Sequence, residues 1–194
     1  MMRIAAVLIA ALVSGAAPAA DPPQSIAPTT QFAIACYGKQ KPTPACDKQA
    51  IANINRARAM EGVKKIKLPA NYASLTLTQQ EIAVSNAERV DRGLSKLPER
   101  ASLDKLSKQG AQTNSDPIGP ANHGWGSIWA GVADPLAADF LWMYDDGPNS
   151  PNLDCQNPGD SGCWGHRHNI INPDWKAMGA GHDHDSLAEL FVYP

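Results

Sequence analysis

The chain has 194 residues, with 17 Lys and Arg against 19 Asp and Glu for a formal net charge of −2. A near-neutral balance without a concentrated basic face excludes nucleic-acid binding driven by phosphate neutralisation. The length supports one hydrophobic core rather than two.

A short basic start, Met1-Met2-Arg3, precedes the apolar run Ile4 to Val13 and the small-residue stretch Ala17-Pro18-Ala19-Ala20. This pattern predicts a secretory signal peptide over residues 1–20, cut after Ala19 or Ala20. No later apolar run is long enough to span a bilayer, so the product is expected to be secreted, extracellular or in the cell envelope, and to act as a monomer. Residues 21–35, rich in Pro, Ala and Thr at their start, are expected to form a flexible N-terminus ahead of one domain over 36–194. Cys36, Cys46, Cys155 and Cys163 fall into two sequence-local pairs. An even count in an exported chain favours disulfides over metal thiolates, and neither pair has the spacing of a zinc site. Three pairings are possible. Cys36 with Cys46 and Cys155 with Cys163 close the smallest loops, each contributing somewhat under ~3 kcal/mol by chain entropy.

Asp47 can cap a helix whose apolar positions Ala50, Ile51, Ile54 and Ala57 recur at helical spacing, with Gly62 as a stop. Thr78-Gln79-Gln80-Glu81 reads as a capping box for a second helix, ended by Gly93-Leu94. Leu103, Leu106 and Ala111 suggest a third, short helix. Asp134-Pro135 supplies an N-cap and a proline at the first helical position, followed by the apolar stripe Leu136, Ala137, Phe140, Leu141 and Tyr144. The C-terminal stretch reads as two strands, Lys176–Gly181 and Ser186–Tyr193, joined around His182-Asp183-His184-Asp185. Helices with a terminal hairpin point to an α+β fold, helices layered on an antiparallel sheet.

Two features carry candidate chemistry. Asp145 and Asp146 sit at the negative end of the helix that starts at Pro135, a placement unfavourable by a few tenths of a kcal/mol each. They are either harmless charges at a solvated helix end or an acid placed for use. Cys163-Trp164-Gly165-His166-Arg167-His168-Asn169-Ile170-Ile171-Asn172-Pro173 concentrates histidines in a turn-prone segment where only one of the two can point inward. The His182 to Asp185 tip is expected to be a polar turn. His123 lies in the Gly-rich stretch Asn122-His123-Gly124-Trp125-Gly126. No nucleophile elbow, HExxH helix, Walker loop or dinucleotide fingerprint is present, and two disulfides would leave no free thiol.

The runs Ile54-Asn55-Arg56-Ala57-Arg58-Ala59-Met60-Glu61-Gly62, Glu88-Arg89-Val90-Asp91-Arg92-Gly93-Leu94, Trp142-Met143-Tyr144-Asp145-Asp146-Gly147 and Gly165-His166-Arg167-His168-Asn169-Ile170 resemble the CAP superfamily. This family comprises cysteine-rich secretory, antigen 5 and pathogenesis-related proteins with SCP-like domains, and the resemblance is to exported bacterial members. It implies an α-β-α sandwich with a central, mainly antiparallel sheet and a surface cleft that holds two histidines and two acids. Position by position, His166 and His123 match the histidines that can bind zinc or another divalent metal, and Asp145 stands where the family often has glutamate. The family's second glutamate falls at Ser127, which removes a group that would tune the metal ligands. Two functions follow as expectations. The first is an extracellular binding module for an envelope component, a lipid or a protein partner. The second is a divalent-metal-dependent hydrolase in which His123 and His166 hold the ion and Asp145 activates its water.

Overall fold

The computed structural model describes residues 20–193, so the expected leader lies outside the described residues apart from Ala20. The elements are α1 (Thr30–Cys36), α2 (Pro44–Met60), α3 (Leu77–Asp91), α4 (Ala101–Thr113), β1 (Trp125–Ala130), α5 (Pro135–Tyr144), α6 (Gly165–Ile171), β2 (Ala177–Asp183) and β3 (Ser186–Val192). The three strands form one antiparallel sheet in the order β1-β3-β2. The architecture is α+β, as expected.

Strand alternation divides the sheet into two faces. Leu187, Glu189 and Phe191 of β3, with Met178 and Ala180 of β2, turn toward α2, α3 and α5 and the main core. Leu190 and Val192, with Ala177, turn the other way and pack on Leu103 and Leu106 of α4. Gly179 and Gly181 set how near α4 can come. A β-carbon at Gly179 would stand 2.5 Å from the Asp104 nitrogen, and one at Gly181 would stand 2.2 Å from the Lys108 nitrogen.

Several helix boundaries follow local chemistry. Asp134 accepts from the Leu136 and Ala137 amides, capping α5 as its sequence predicts. The capping box of α3 is Thr76 with Gln79, two residues upstream of the expected one, and Thr43 rather than Asp47 caps α2. Both expected disulfides are present. β1 is not visible as a strand in its own sequence. It forms because β3 supplies the partner ladder, Trp125 opposite Val192 through Ala130 opposite Leu187.

Residues 21–35, expected to be flexible, make long-range contacts and include most of α1. Ile26 is buried and donates its amide to the Tyr144 carbonyl at 2.7 Å, and Ser25 exchanges hydrogen bonds with Gly147, both at 2.8 Å. Beyond them α1 buries Phe32 against Phe140, with ring centroids 5.1 Å apart, and Cys36 is bonded to Cys46. The segment is too short to show a helical period, and its order comes from long-range contacts.

The core face of the sheet carries buried acids. Glu189 is fully buried, with both carboxylate oxygens 2.8 Å from the Ser85 hydroxyl, and burial pushes its pKa up to about 8. Glu81 and Asp139 are buried with no hydrogen-bond partner on either oxygen, and burial raises both well above the ordinary range. An acid whose pKa is raised by folding contributes stability that is complete below its unfolded value and is lost as pH rises through its folded value. For Glu189 the window runs from 4.5 to about 8. The melting temperature is therefore expected to fall across that window, and Glu189→Gln to make the decline shallower. A melting curve series in which the variant keeps the full slope would refute this assignment.

Candidate functional site

α6 is seven residues long, too short to be stable by itself. Trp164 at its N-cap sits at φ +62° and offers no capping side chain. The cap arrives from twenty residues upstream. Asp146 Oδ2 accepts from the His166 amide at 2.8 Å and the Arg167 amide at 3.3 Å. At the other end of α6, Arg89 Nη1 donates to the carbonyls of Ile170 at 2.6 Å and Asn172 at 2.8 Å. A carboxylate at the amide end and a guanidinium at the carbonyl end both complement the helix dipole. Between them Arg167 is fully buried, with Nη1 donating to Glu61 Oε1 and the Met143 carbonyl, each at 2.9 Å.

The same Asp146 carboxylate orients the histidine. Its Oδ1 lies 2.5 Å from His166 Nδ1 and accepts from Asn152 Nδ2 at 2.7 Å. With Nδ1–H donated to Asp146, the neutral ring keeps its lone pair on Nε2. The His166 side chain is 23 % exposed and lines a cleft. Burial works against the charged ring, but Asp146, with Asp116 and Asp154 behind it, outweighs burial and raises the His166 pKa above 6.5.

The cleft has a volume of about 400 Å³ and lies between β1, α5, α6 and the Pro151–Asp154 loop. Trp129, Leu141, Trp142 and Leu153 form its apolar lining, and Asp116, Asp145, Asp146, Asp154 and His166 its ionisable groups. Asp145, at the end of α5, is 5 % exposed, and its Oδ1 has no hydrogen-bond partner. Burial first, and then the neighbouring Asp146, push its pKa up to about 7. The two acids at the α5 terminus are therefore not solvated helix-end charges. Cys155–Cys163 closes the loop that leads from the cleft rim into α6.

The expected site residues are only partly brought together. His166 and Asp145 share the cleft. His123 lines a separate pocket of about 150 Å³ with Arg100, Leu103 and Pro120 against Val192. The two imidazoles thus do not form one ion's ligand pair as placed, and among the described residues no group of three His, Cys, Asp or Glu side chains could hold a metal. Ser127 is not among the cleft-lining residues, and its backbone oxygen accepts from Asn169 at 3.0 Å. His168 turns outward to Asp21, 2.7 Å from its carboxylate. His184 lies in the two-residue hairpin turn at φ +50°.

Asp116 and Asn152 are the residues the linear pattern did not single out. Sequence reasoning noticed two acids at the α5 terminus but selected Asp145 by its spacing from Trp142. The signal for Asp146 is indirect: α6 begins without a capping residue of its own, so a cap has to come from elsewhere. Asp146→Asn removes the charge that outweighs burial, and the His166 pKa is expected to move down. The amide retains only part of the cap, at a cost of up to about 1 kcal/mol. An NMR titration of the His166 ring with a parallel thermal melt checks both, and an unmoved titration curve would contradict the pairing.

No protein-family model and no curated protein matches this chain. Among solved structures, an extracellular protein with an SCP domain from Bacillus anthracis is similar over 60% of this chain and 40% of its own length, at 16% identity and a TM-score of 0.45. A cysteine-rich secretory protein from Staphylococcus aureus is similar over 61% of this chain and 38% of its own length, at 16% identity and a TM-score of 0.44. The matched region thus spans about two fifths of each of those proteins.

Proposed function

We propose that this chain is an exported CAP, or SCP-like, domain that binds a ligand in the cleft around His166 without turning it over. The observation that carries the reading is the make-up of the cleft. It pairs an oriented histidine and a buried acid with tryptophan walls, the apolar surface with a few placed polar groups that suits a ligand site. Both disulfides support an oxidising, extracellular or envelope location. Of the runs that carry the family resemblance, Trp142 to Gly147 and Gly165 to Ile170 supply Asp145, Asp146 and His166 to this cleft. Among the described residues no helix is long and apolar enough to cross a membrane.

The metal-dependent hydrolase reading lacks a ligand set, because His123 and His166 line different pockets. The partner is an envelope component, a lipid or a protein reached through the cleft. Retention of the purified protein on envelope fractions is expected to weaken about tenfold in His166→Ala, measured at a temperature where the variant's melting curve shows it folded. Turnover of an ester or peptidoglycan-type substrate that disappears in His166→Ala or Asp145→Asn would overturn the non-catalytic reading.

A further inference from the structure

Resting on the binding reading above, we infer that the cleft selects an organic cation, a primary ammonium or guanidinium group on an apolar stem such as a lysine or arginine side chain. Four carboxylates, Asp116, Asp145, Asp146 and Asp154, face this cavity with one imidazole, and no Lys or Arg is among its described lining residues. Asp146 and His166 satisfy each other at 2.5 Å, which leaves three acids facing the cavity without a cationic partner in its lining.

One of those acids points to a ligand independently of the charge count. Asp145 is 5 % exposed, lines the cavity, and keeps Oδ1 without a hydrogen-bond donor. A buried carboxylate oxygen without a donor costs free energy that a bound N–H group would recover.

The apolar walls select the stem. Trp142 Nε1 donates to the Trp129 carbonyl at 3.0 Å and Trp129 Nε1 to the Ser186 hydroxyl at 2.7 Å, so both indole N–H groups are already engaged. What remains for a ligand is indole carbon surface, which attracts alkyl chains and cations alike. A volume of about 400 Å³ accommodates a side-chain-sized group. An anionic headgroup would meet like charge. A divalent ion would need convergent ligands, and these acids are spread over the end of α5, the loop after α4 and the Pro151–Asp154 loop.

The test is calorimetric titration of the purified protein at low salt with Nα-acetyl-lysine methylamide, its Nε-acetylated counterpart and calcium chloride. The ammonium probe is expected to bind at least about tenfold more tightly than the acetylated one, and to weaken as salt is raised. Asp145→Asn and the rim variant Asp154→Asn are each expected to weaken it severalfold. Asp154 is exposed, so its variant keeps the comparison valid if Asp145→Asn fails to fold. Equal binding of the two lysine probes would overturn the cation assignment while leaving a binding cleft. Calcium binding without ammonium binding would replace the organic cation by a metal. Failure of every probe alongside His166-dependent retention on envelope fractions would overturn this inference and spare the proposed function. Loss of that retention effect as well would overturn both.

Discussion

A seven-residue helix that cannot stand alone, α6, is the constraint on which the cleft depends. It presents His166, and it is held from both ends by side chains of other helices, Asp146 beyond α5 at its amides and Arg89 of α3 at its carbonyls. Both contacts join the helix dipole to a full charge in a partly buried setting, where such contacts are strongest. One carboxylate caps the helix through Oδ2 and holds the ring through Oδ1, so the residue that caps the helix also positions the histidine.

Behind α6 lies a buried ion network that ties three more elements to it. Glu88 of α3 accepts from Arg58 of α2 at 2.6 Å, pairs with Arg92, and accepts from the Tyr144 hydroxyl at 3.0 Å. Arg92 reaches Glu61 at 2.8 Å, and Glu61 holds Arg167 of α6 at 2.9 Å. Such networks give little net stability against an apolar core of the same volume, but removing one partner leaves an uncompensated charge and costs about 3–5 kcal/mol. Their effect is geometric: α2, α3, α5 and α6 are locked in one register, and the cleft is built where α5 and α6 meet β1.

The N-terminal segment completes the brace. Ser25 and Ile26 bond to Gly147, Pro148 and Tyr144, on either side of the two acids, and Asp21 lies 3.4 Å from Arg167. The turn that carries Asp145 and Asp146 is therefore fixed from outside by the strap and from inside by α6. This explains how two carboxylates are kept at a helix C-terminus, where the dipole opposes them. One is neutralised by His166 and two backbone amides, and the other is held partly protonated by burial.

By itself the sequence determined the features that depend on near neighbours. Asp134-Pro135 starts α5 and the disulfides join nearest cysteines, because each involves residues close in sequence. The runs that carry the family resemblance also prove physically connected, since Arg58, Glu61, Glu88, Arg92, Tyr144 and Arg167 in them form the buried network. Only the tertiary structure decided what depends on distant partners. It made a strand of Trp125–Ala130, packed residues of the 21–35 segment onto the core, chose Asp146 over Asp145 as the partner of His166, and placed His123 in another pocket. The reason is common to all four: a cap, a ladder or an ion pair across space leaves no periodic trace in the chain, because its two halves are separate in sequence and meet only when the core has formed.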